Sequence, residues 1–154
     1  MLIQLLAGFL ISMICIMIHA MATIAAISVA RVVGLRNTAR PRFHLMAVMV
    51  ATVVVLKVAH GLEVVVWALA YALVGAAPAG SDLLYFAFVN YTTLGYGDVT
   101  PVKAWQLLGP MAAMNGILMF GWSTAVLFDV LMKTLAHLAE IAPAGSTFSA
   151  EDRG

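Results

Sequence analysis

Apolar residues are arranged along this chain in three long blocks that short polar segments separate. The blocks run over residues 2–30, 43–74 and 102–137. An α-helix needs about 20 residues to cross a hydrocarbon core of about 30 Å, so each block is long enough to span a membrane. The pattern predicts an all-α membrane protein with three transmembrane helices, and the first helix is predicted over residues 1–30.

The polar segment at residues 31–42 reads RVVGLRNTARPR and carries four arginines. Loops rich in arginine lie on the cytoplasmic side of a membrane. We therefore expect this loop in the cytoplasm, the amino terminus outside the cell and, by alternation, a cytoplasmic tail at residues 139–154. Trp67 and Tyr71 fall at the outer end of the second block, where amphipathic rings are expected to lie among the lipid headgroups.

The segment between the second and third blocks predicts a helix that enters the membrane without crossing it. It opens with the turn sequence GAAPAG, which is followed by Ser81 as a helix cap and Asp82 at the positive end of the helix dipole. The short apolar helix predicted at residues 81–92 is too short to span. Such a re-entrant helix needs other protein around its non-helical end. Thr100 and Pro101 are then expected to start the last helix, over residues 101–138.

Composition agrees with a membrane protein and argues against other classes. Hydrophobic residues make up 64% of the chain, charged residues 10%, and the mean hydropathy is +1.03. A net charge of +1 gives no field that would attract a nucleic acid. We find no pair of nucleophile and base and no cluster of metal ligands that would indicate an enzyme, and no cofactor is expected.

The stretch TTLGYGD at residues 92–98 follows the short helix directly. Potassium is large and weakly hydrated, so neutral carbonyl oxygens suit it as ligands. To aim successive carbonyls at one axis, the backbone must alternate in handedness, and Gly95 and Gly97 adopt a positive φ at little cost. Leu94 and Tyr96 are then expected to point away and pack against the surroundings. The stretch predicts an ion-binding filter at residues 93–97.

TTLGYGD resembles the signature of the tetrameric P-loop potassium channels, and the likeness extends over about residues 62–130. The resemblance implies a pore domain at residues 43–138, with an outer helix at 43–74, a pore helix, a filter and an inner helix. It also implies a homotetramer around one pore. The residues that would bind dehydrated potassium, with Gly97 at the outer mouth, are Thr93, Leu94, Gly95 and Tyr96.

The same resemblance suggests residues that support the filter or line the pathway below it. Asp98 would shape the mouth, and because Val89 stands where many members have a glutamate, Tyr85 is a candidate partner for Asp98. The end of the pore helix at Thr92 would direct its negative dipole at a cation. Candidates for cavity and gate, for which ordinary helix packing is an alternative, are Asn115, Gly116, Ile117, Phe120, Gly121 and Thr124.

Three ionisable residues of the second span, Lys57, His60 and Glu63, are expected near the middle of the membrane. Each costs at least about 2.5–3.5 kcal/mol there, so each needs a partner. Lys57 and Glu63 are six residues apart and do not easily pair directly. One interpretation is a buried polar cluster that joins helices and includes His19 of the first span. The other is a proton-sensitive gate, because histidine changes its charge between about pH 5 and 8.

The sequence thus favours a potassium-selective channel subunit in a plasma or bacterial inner membrane. Its expected partners are K⁺ ions, membrane lipid and further copies of the chain, without nucleic acid. Two alternatives remain at this stage. One is a weakly selective cation channel, because selectivity also depends on how the surroundings hold the filter. The other is a non-conducting or transporter-associated membrane subunit, in which TLGYG would be idle.

Overall fold

The computed structural model describes residues 1–34 and 41–141, and within these ranges it contains helices and no strand. The long helices are α1 (Leu2–Gly34), α2 (Pro41–Val74) and α4 (Leu108–Ile141), and the short helix α3 covers Leu83–Tyr91. Each long helix contains a stretch that is long and apolar enough to cross a membrane. The predicted fold class, an all-α membrane protein with three spans, is confirmed.

The helices extend further than the sequence predicts at the ends that we assigned to the cytoplasm. α1 continues to Gly34, α2 begins already at Pro41, and α4 continues to Ile141. Residues 31–34 and 41–42 of the predicted loop 31–42 are therefore helical, and so are residues 139–141 of the predicted tail 139–154. Residues 35–40 and 142–154, which include the rest of that loop and tail, lie outside the described residues.

Asp82, and not Ser81, caps the amino end of α3. Its carboxylate accepts hydrogen bonds from the backbone N–H groups of Leu84 and Tyr85, both at 3.0 Å. One carboxylate thus satisfies two of the donors that a helix start leaves without partners. The helix ends at Thr92, whose N–H donates to the carbonyl of Phe88 at 2.9 Å.

The inner helix begins at Leu108, whereas the sequence predicted its start at Pro101. A short 3₁₀ turn at Lys103–Trp105 precedes it. The N–H of Val102 donates to the carbonyl of Ala76 at 2.8 Å, and this bond ties the chain to the turn after α2. Pro110 then falls in the first helical turn, where its missing N–H would have had no partner within the helix.

A cluster of aromatic rings joins α2 to α3 near the end of α2. Trp67 and Tyr71 are fully buried, and the Tyr71 ring lies 4.9 Å from that of Phe86 and 5.8 Å from that of Trp67, measured between centroids. The prediction that Trp67 and Tyr71 lie among lipid headgroups is therefore wrong. Their rings fill the space between the helices, where van der Waals packing holds membrane proteins together.

α1 is attached to the rest of the bundle along much of its length. At its amino end the Oε1 of Gln4 accepts a hydrogen bond of 3.1 Å from the N–H of Leu107, just before α4. Gly8 lies against the side chain of Met111, where a larger residue would collide with it. At the other end Ala26 is buried in a cluster with residues of α2 and α4. The first helix is thus an integral part of the subunit.

Candidate functional site

The segment after α3 has a backbone that alternates in handedness. Positive φ angles occur at Thr93 (62°), Gly95 (57°) and Gly97 (80°), whereas the intervening Leu94 and Tyr96 have none. The sequence predicts this conformation for Gly95 and Gly97. Alternation of this kind turns successive carbonyl groups toward the same side of the chain, which is the arrangement that a row of oxygen ligands requires.

Thr93 adopts a conformation that the sequence did not predict. A β-branched residue with a positive φ is a genuine outlier. Such a conformation costs about 1–3 kcal/mol and persists only where surrounding contacts determine it. The N–H of Thr93 donates to the carbonyl of Asn90 at 3.0 Å, so the last turn of α3 helps to hold it. The sequence did contain a signal for it: Thr93 lies two residues before Gly95, as Gly95 lies two residues before Gly97, so a positive φ at every second residue includes Thr93.

The carboxyl end of α3 holds the segment through main-chain atoms. The carbonyl oxygen of Val89 accepts hydrogen bonds from the N–H groups of Leu94 at 3.0 Å and Gly95 at 3.4 Å. The Val89 side chain is itself buried, and the Thr92 hydroxyl donates to the carbonyl of Phe88 at 2.7 Å. Val89 therefore holds the segment through its backbone carbonyl, which every residue has, and not through its side chain.

Tyr85 and Asp98 connect the start of α3 with the end of the segment. The Tyr85 hydroxyl donates to Oδ2 of Asp98 at 2.7 Å. This hydrogen bond raises the pKa of the Tyr85 phenol, because the carboxylate stabilises the protonated form. The structure thus brings together the two residues that the sequence proposed as partners.

The whole stretch from Thr92 to Asp98 is exposed in the single subunit. The side chain of Leu94 is 53% exposed and that of Tyr96 is 69% exposed. The sequence predicts that these two side chains pack against the surroundings of the filter. The described residues of one chain do not cover these two side chains.

The candidates on the inner helix fall into two groups. Ile117, Phe120, Gly121 and Thr124 lie on an exposed part of α4, as residues that face a shared cavity would in one subunit. Asn115 and Gly116 are buried, so they do not face a cavity. A Cβ atom at Gly116 would overlap the carbonyl oxygen of Tyr91, whereas one at Gly121 would meet open space. Close packing against Tyr91 thus explains why residue 116 is a glycine, and a role of Gly116 in a gate is not needed for that explanation.

Polar side chains from all four helices meet in a cluster inside the subunit. Glu63 of α2 is fully buried and accepts hydrogen bonds from Nδ1 of His19 at 2.8 Å and from the Tyr91 hydroxyl. Nδ1 of His60 lies 3.0 Å from the Tyr91 oxygen and 3.4 Å from Oε2 of Glu63. The Oγ of Ser123 lies 2.9 Å from Nε2 of His60 and 3.2 Å from Nε2 of His19.

We call these five residues, His19, His60, Glu63, Tyr91 and Ser123, the polar cluster. Lys57 does not belong to it, because its side chain is exposed on α2 and makes none of these contacts. The sequence missed Tyr91 and Ser123, because single hydroxyl groups in apolar helices give little signal. Ligand atoms of both histidines and Glu63 lie within 4.8 Å of one another, as metal ligands can. Each is engaged within the cluster, however, and the geometry is that of a hydrogen-bond network.

Comparison with known families agrees with this architecture. A family model described as an ion channel matches residues 43–133, which is more than half of the chain. The chain belongs to this ion-channel family. The matched part contains nearly all of α2, all of α3, the positive-φ residues at 93–97 and most of α4, whereas α1 with His19 lies outside it. Searches of curated proteins and of solved structures found no significant match.

The family has a tetrameric pore module, and membership makes the chain an integral membrane protein with a role in ion transport. It implies that ions permeate and that several subunits assemble. It supports a transport role over catalysis.

Proposed function

We propose that this chain is the subunit of a potassium-selective channel in which four identical copies surround one pore. Potassium would move passively down its electrochemical gradient, with no covalent chemistry and no cofactor. The observation that carries the proposal is the alternation of backbone handedness at Thr93, Gly95 and Gly97, which directly follows a helix too short to cross the membrane.

Backbone carbonyls are the groups that would do the work. Potassium loses its hydration water in a narrow filter, and carbonyl oxygens replace that water without adding charge. Thr93, Leu94, Gly95 and Tyr96 would supply these oxygens, with Gly97 at the outer mouth. The hydrogen bonds from Leu94 and Gly95 to Val89 anchor this backbone on one side.

The exposure of the segment supports assembly of several copies. Each chain has one such segment, so a ring of oxygens needs more than one chain. Leu94 and Tyr96 are large side chains and more than half exposed. Neighbouring copies would cover them and so provide the packing that keeps the filter open. Ile117, Phe120 and Thr124, which are exposed on α4, would then line the cavity below.

The proposed orientation places the amino terminus and the filter toward the outside of a plasma or bacterial inner membrane. Arg31 lies in the last turn of α1 and Arg42 in the first turn of α2, and they are the first and last residues of the predicted cytoplasmic loop. Positive charge at this point favours the cytoplasmic side. By alternation, the end of α4 would be cytoplasmic.

Reversal potentials of the purified protein in planar bilayers test the proposal. Under opposed K⁺ and Na⁺ gradients, we expect currents that reverse near the equilibrium potential of K⁺. Reversal midway between the two equilibrium potentials would instead indicate the weakly selective cation channel. Silence of a preparation whose mass, measured in parallel, equals four times the 16.4 kDa subunit would favour the non-conducting subunit.

A further inference from the structure

The polar cluster contains four ionisable side chains, and three of them, His19, Glu63 and Tyr91, are fully buried. A buried charge that lacks a partner is costly, so the charges inside this cluster must balance. The positions of the hydrogen atoms decide whether they do. Those positions follow from the contacts, because a carboxylate only accepts, a hydroxyl carries one hydrogen, and an imidazole carries one or two.

The contacts around Glu63 place a hydrogen on Nδ1 of each histidine. With Glu63 ionised, both of its oxygens can only accept, so Nδ1 of His19, which lies 2.8 Å from Oε1, is a donor. The Tyr91 hydroxyl uses its one hydrogen for the other oxygen of Glu63. Nδ1 of His60, 3.0 Å from the Tyr91 oxygen, must therefore also donate.

The contacts of Ser123 then require one more hydrogen. Its hydroxyl lies between Nε2 of His60 and Nε2 of His19, at 2.9 Å and 3.2 Å. Its one hydrogen can be donated to only one of these nitrogens. The other nitrogen must donate to the Ser123 oxygen and so carries a hydrogen itself. Because both rings are already protonated at Nδ1, that ring has hydrogens on both nitrogens and is an imidazolium.

We propose that the polar cluster is a proton-binding site that holds one proton, shared by His19 and His60, against the negative charge of Glu63. The cluster then has no net charge. Glu63 is the ionised member, because up to three donors point at its carboxylate, and hydrogen bonds to the charged form stabilise it.

Ser123 lets the proton move between the two rings. In one step the N–H bond at Nε2 of His60 breaks as an O–H bond forms on Ser123, while the original Ser123 O–H bond breaks as an N–H bond forms at Nε2 of His19. The charge moves from one imidazole to the other, and no atom leaves the cluster. The relay uses the two contacts of the Ser123 oxygen and needs no other group.

Few other polar groups face the cluster. Cys15 of α1 places its Sγ 4.0 Å from the carbonyl oxygen of Glu63, and Asn115 of α4 is buried nearby as an uncharged amide. In the described ranges, no aspartate, lysine or arginine forms an ion pair with any of the five residues. Removing the proton would leave the Glu63 charge uncompensated and two nitrogen lone pairs facing one hydroxyl. Deprotonation would thus weaken the contacts of His19 on α1 with Glu63 and Ser123, and Glu63 is the group to which Tyr91, two residues before Thr93, donates.

Nitrogen-15 NMR of the histidine rings in the full-length protein tests this proposal. The double variant His44→Gln/His137→Gln leaves only the two histidines of the cluster, so the signals are unambiguous. At pH 7.5, with EDTA present to exclude metal ions, an ordinary imidazole is about nine-tenths neutral. We expect one imidazolium per subunit. Two neutral rings would overturn the proposal, and so would two imidazolium rings.

Two variants extend the test, and neither readout depends on whether the channel selects potassium. Glu63→Gln removes the negative charge, and we expect the imidazolium signal to disappear. Ser123→Ala keeps the charge pair but removes the relay, so one ring should stay an imidazolium while exchange between the rings ceases. If Glu63→Gln fails to fold, infrared spectra of the unaltered protein decide instead, because a protonated Glu63 would show a carboxylic acid C=O band.

Discussion

The carbonyl oxygen of Tyr91 lies directly against the α-carbon of Gly116, so that no side chain fits between α3 and α4 at this point. The last turn of the pore helix therefore rests on the inner helix through bare backbone. Tyr91 also donates through its hydroxyl to Glu63 and so contacts α2. The position of α3 is thus fixed from two sides, just before the proposed filter begins at Thr93.

Gly116→Ala should destabilise the protein by forcing α4 away from Tyr91. Overpacking of a well-packed site typically costs about 1–3 kcal/mol. We expect a lower midpoint of thermal unfolding in detergent, together with altered ion selectivity. Gly121→Ala is the matched control, because its added methyl group meets open space on the same helix. Equal effects of the two substitutions would show that helix flexibility, and not the contact with Tyr91, determines the result.

Gly97→Ala should abolish potassium selectivity, whereas Gly80→Ala should preserve it. The two glycines have φ angles of +80° and +83°, and an added methyl group meets no atom within 4 Å at either position. Both substitutions thus impose a similar conformational cost of about 1–2 kcal/mol on the folded chain. Only Gly97 lies in the proposed filter at residues 93–97. Reversal potentials measured for both variants distinguish a change in the filter from a general loss of stability.

Asp98→Asn should lower the pKa of Tyr85 toward the ordinary value near 10. The Asp98 carboxylate raises that pKa, so the hydrogen bond is intact below about pH 10 and is lost as the pH rises through the raised pKa. Tyrosinate absorbance during an alkaline titration reports the change. Asp82→Asn is the control, because Asp82 contacts the backbone N–H of Tyr85 and not its phenol. A titration curve that Asp98→Asn leaves unchanged would contradict the contact.

Tyr91→Phe should destabilise the subunit more than Tyr71→Phe does. Both side chains are buried, and each substitution removes one hydroxyl. The Tyr91 hydroxyl donates to a buried carboxylate, whereas the Tyr71 hydroxyl reaches a carbonyl only at 3.5 Å. Leaving a buried acceptor without its donor costs about 1–3 kcal/mol. Thermal unfolding of both variants would measure the difference, and similar midpoints would contradict the role that we assign to Tyr91.

The long-range architecture could be predicted from the sequence, because membrane spans depend on length and hydrophobicity alone. The start of α4 could not. Thr100 and Pro101 form a good local signal for a helix start, but the hydrogen bond from Val102 to Ala76 holds the chain outside a helix there. A contact between residues 26 positions apart overrode the local preference.

The site was predictable to the extent that it is local. The two glycines of TLGYG indicated the backbone at Gly95 and Gly97, and the resemblance to potassium channels suggested Tyr85 for Asp98. The polar cluster depends instead on how four helices are rotated and shifted relative to one another. Spacing on α2 grouped Lys57 with His60 and Glu63. In the structure, only His60 and Glu63 contact polar side chains of α1 and α4.

The attachment of α1 has a consequence for anyone who would engineer this protein. The matched family region begins only at residue 43, which suggests a minimal two-span version without α1 as a design. Such a version would lack His19 and would expose Glu63, with its carboxylate, to hydrocarbon tails. A workable truncation would therefore have to change residue 63 as well, for example to leucine, so that the shortened subunit presents an apolar surface to lipid.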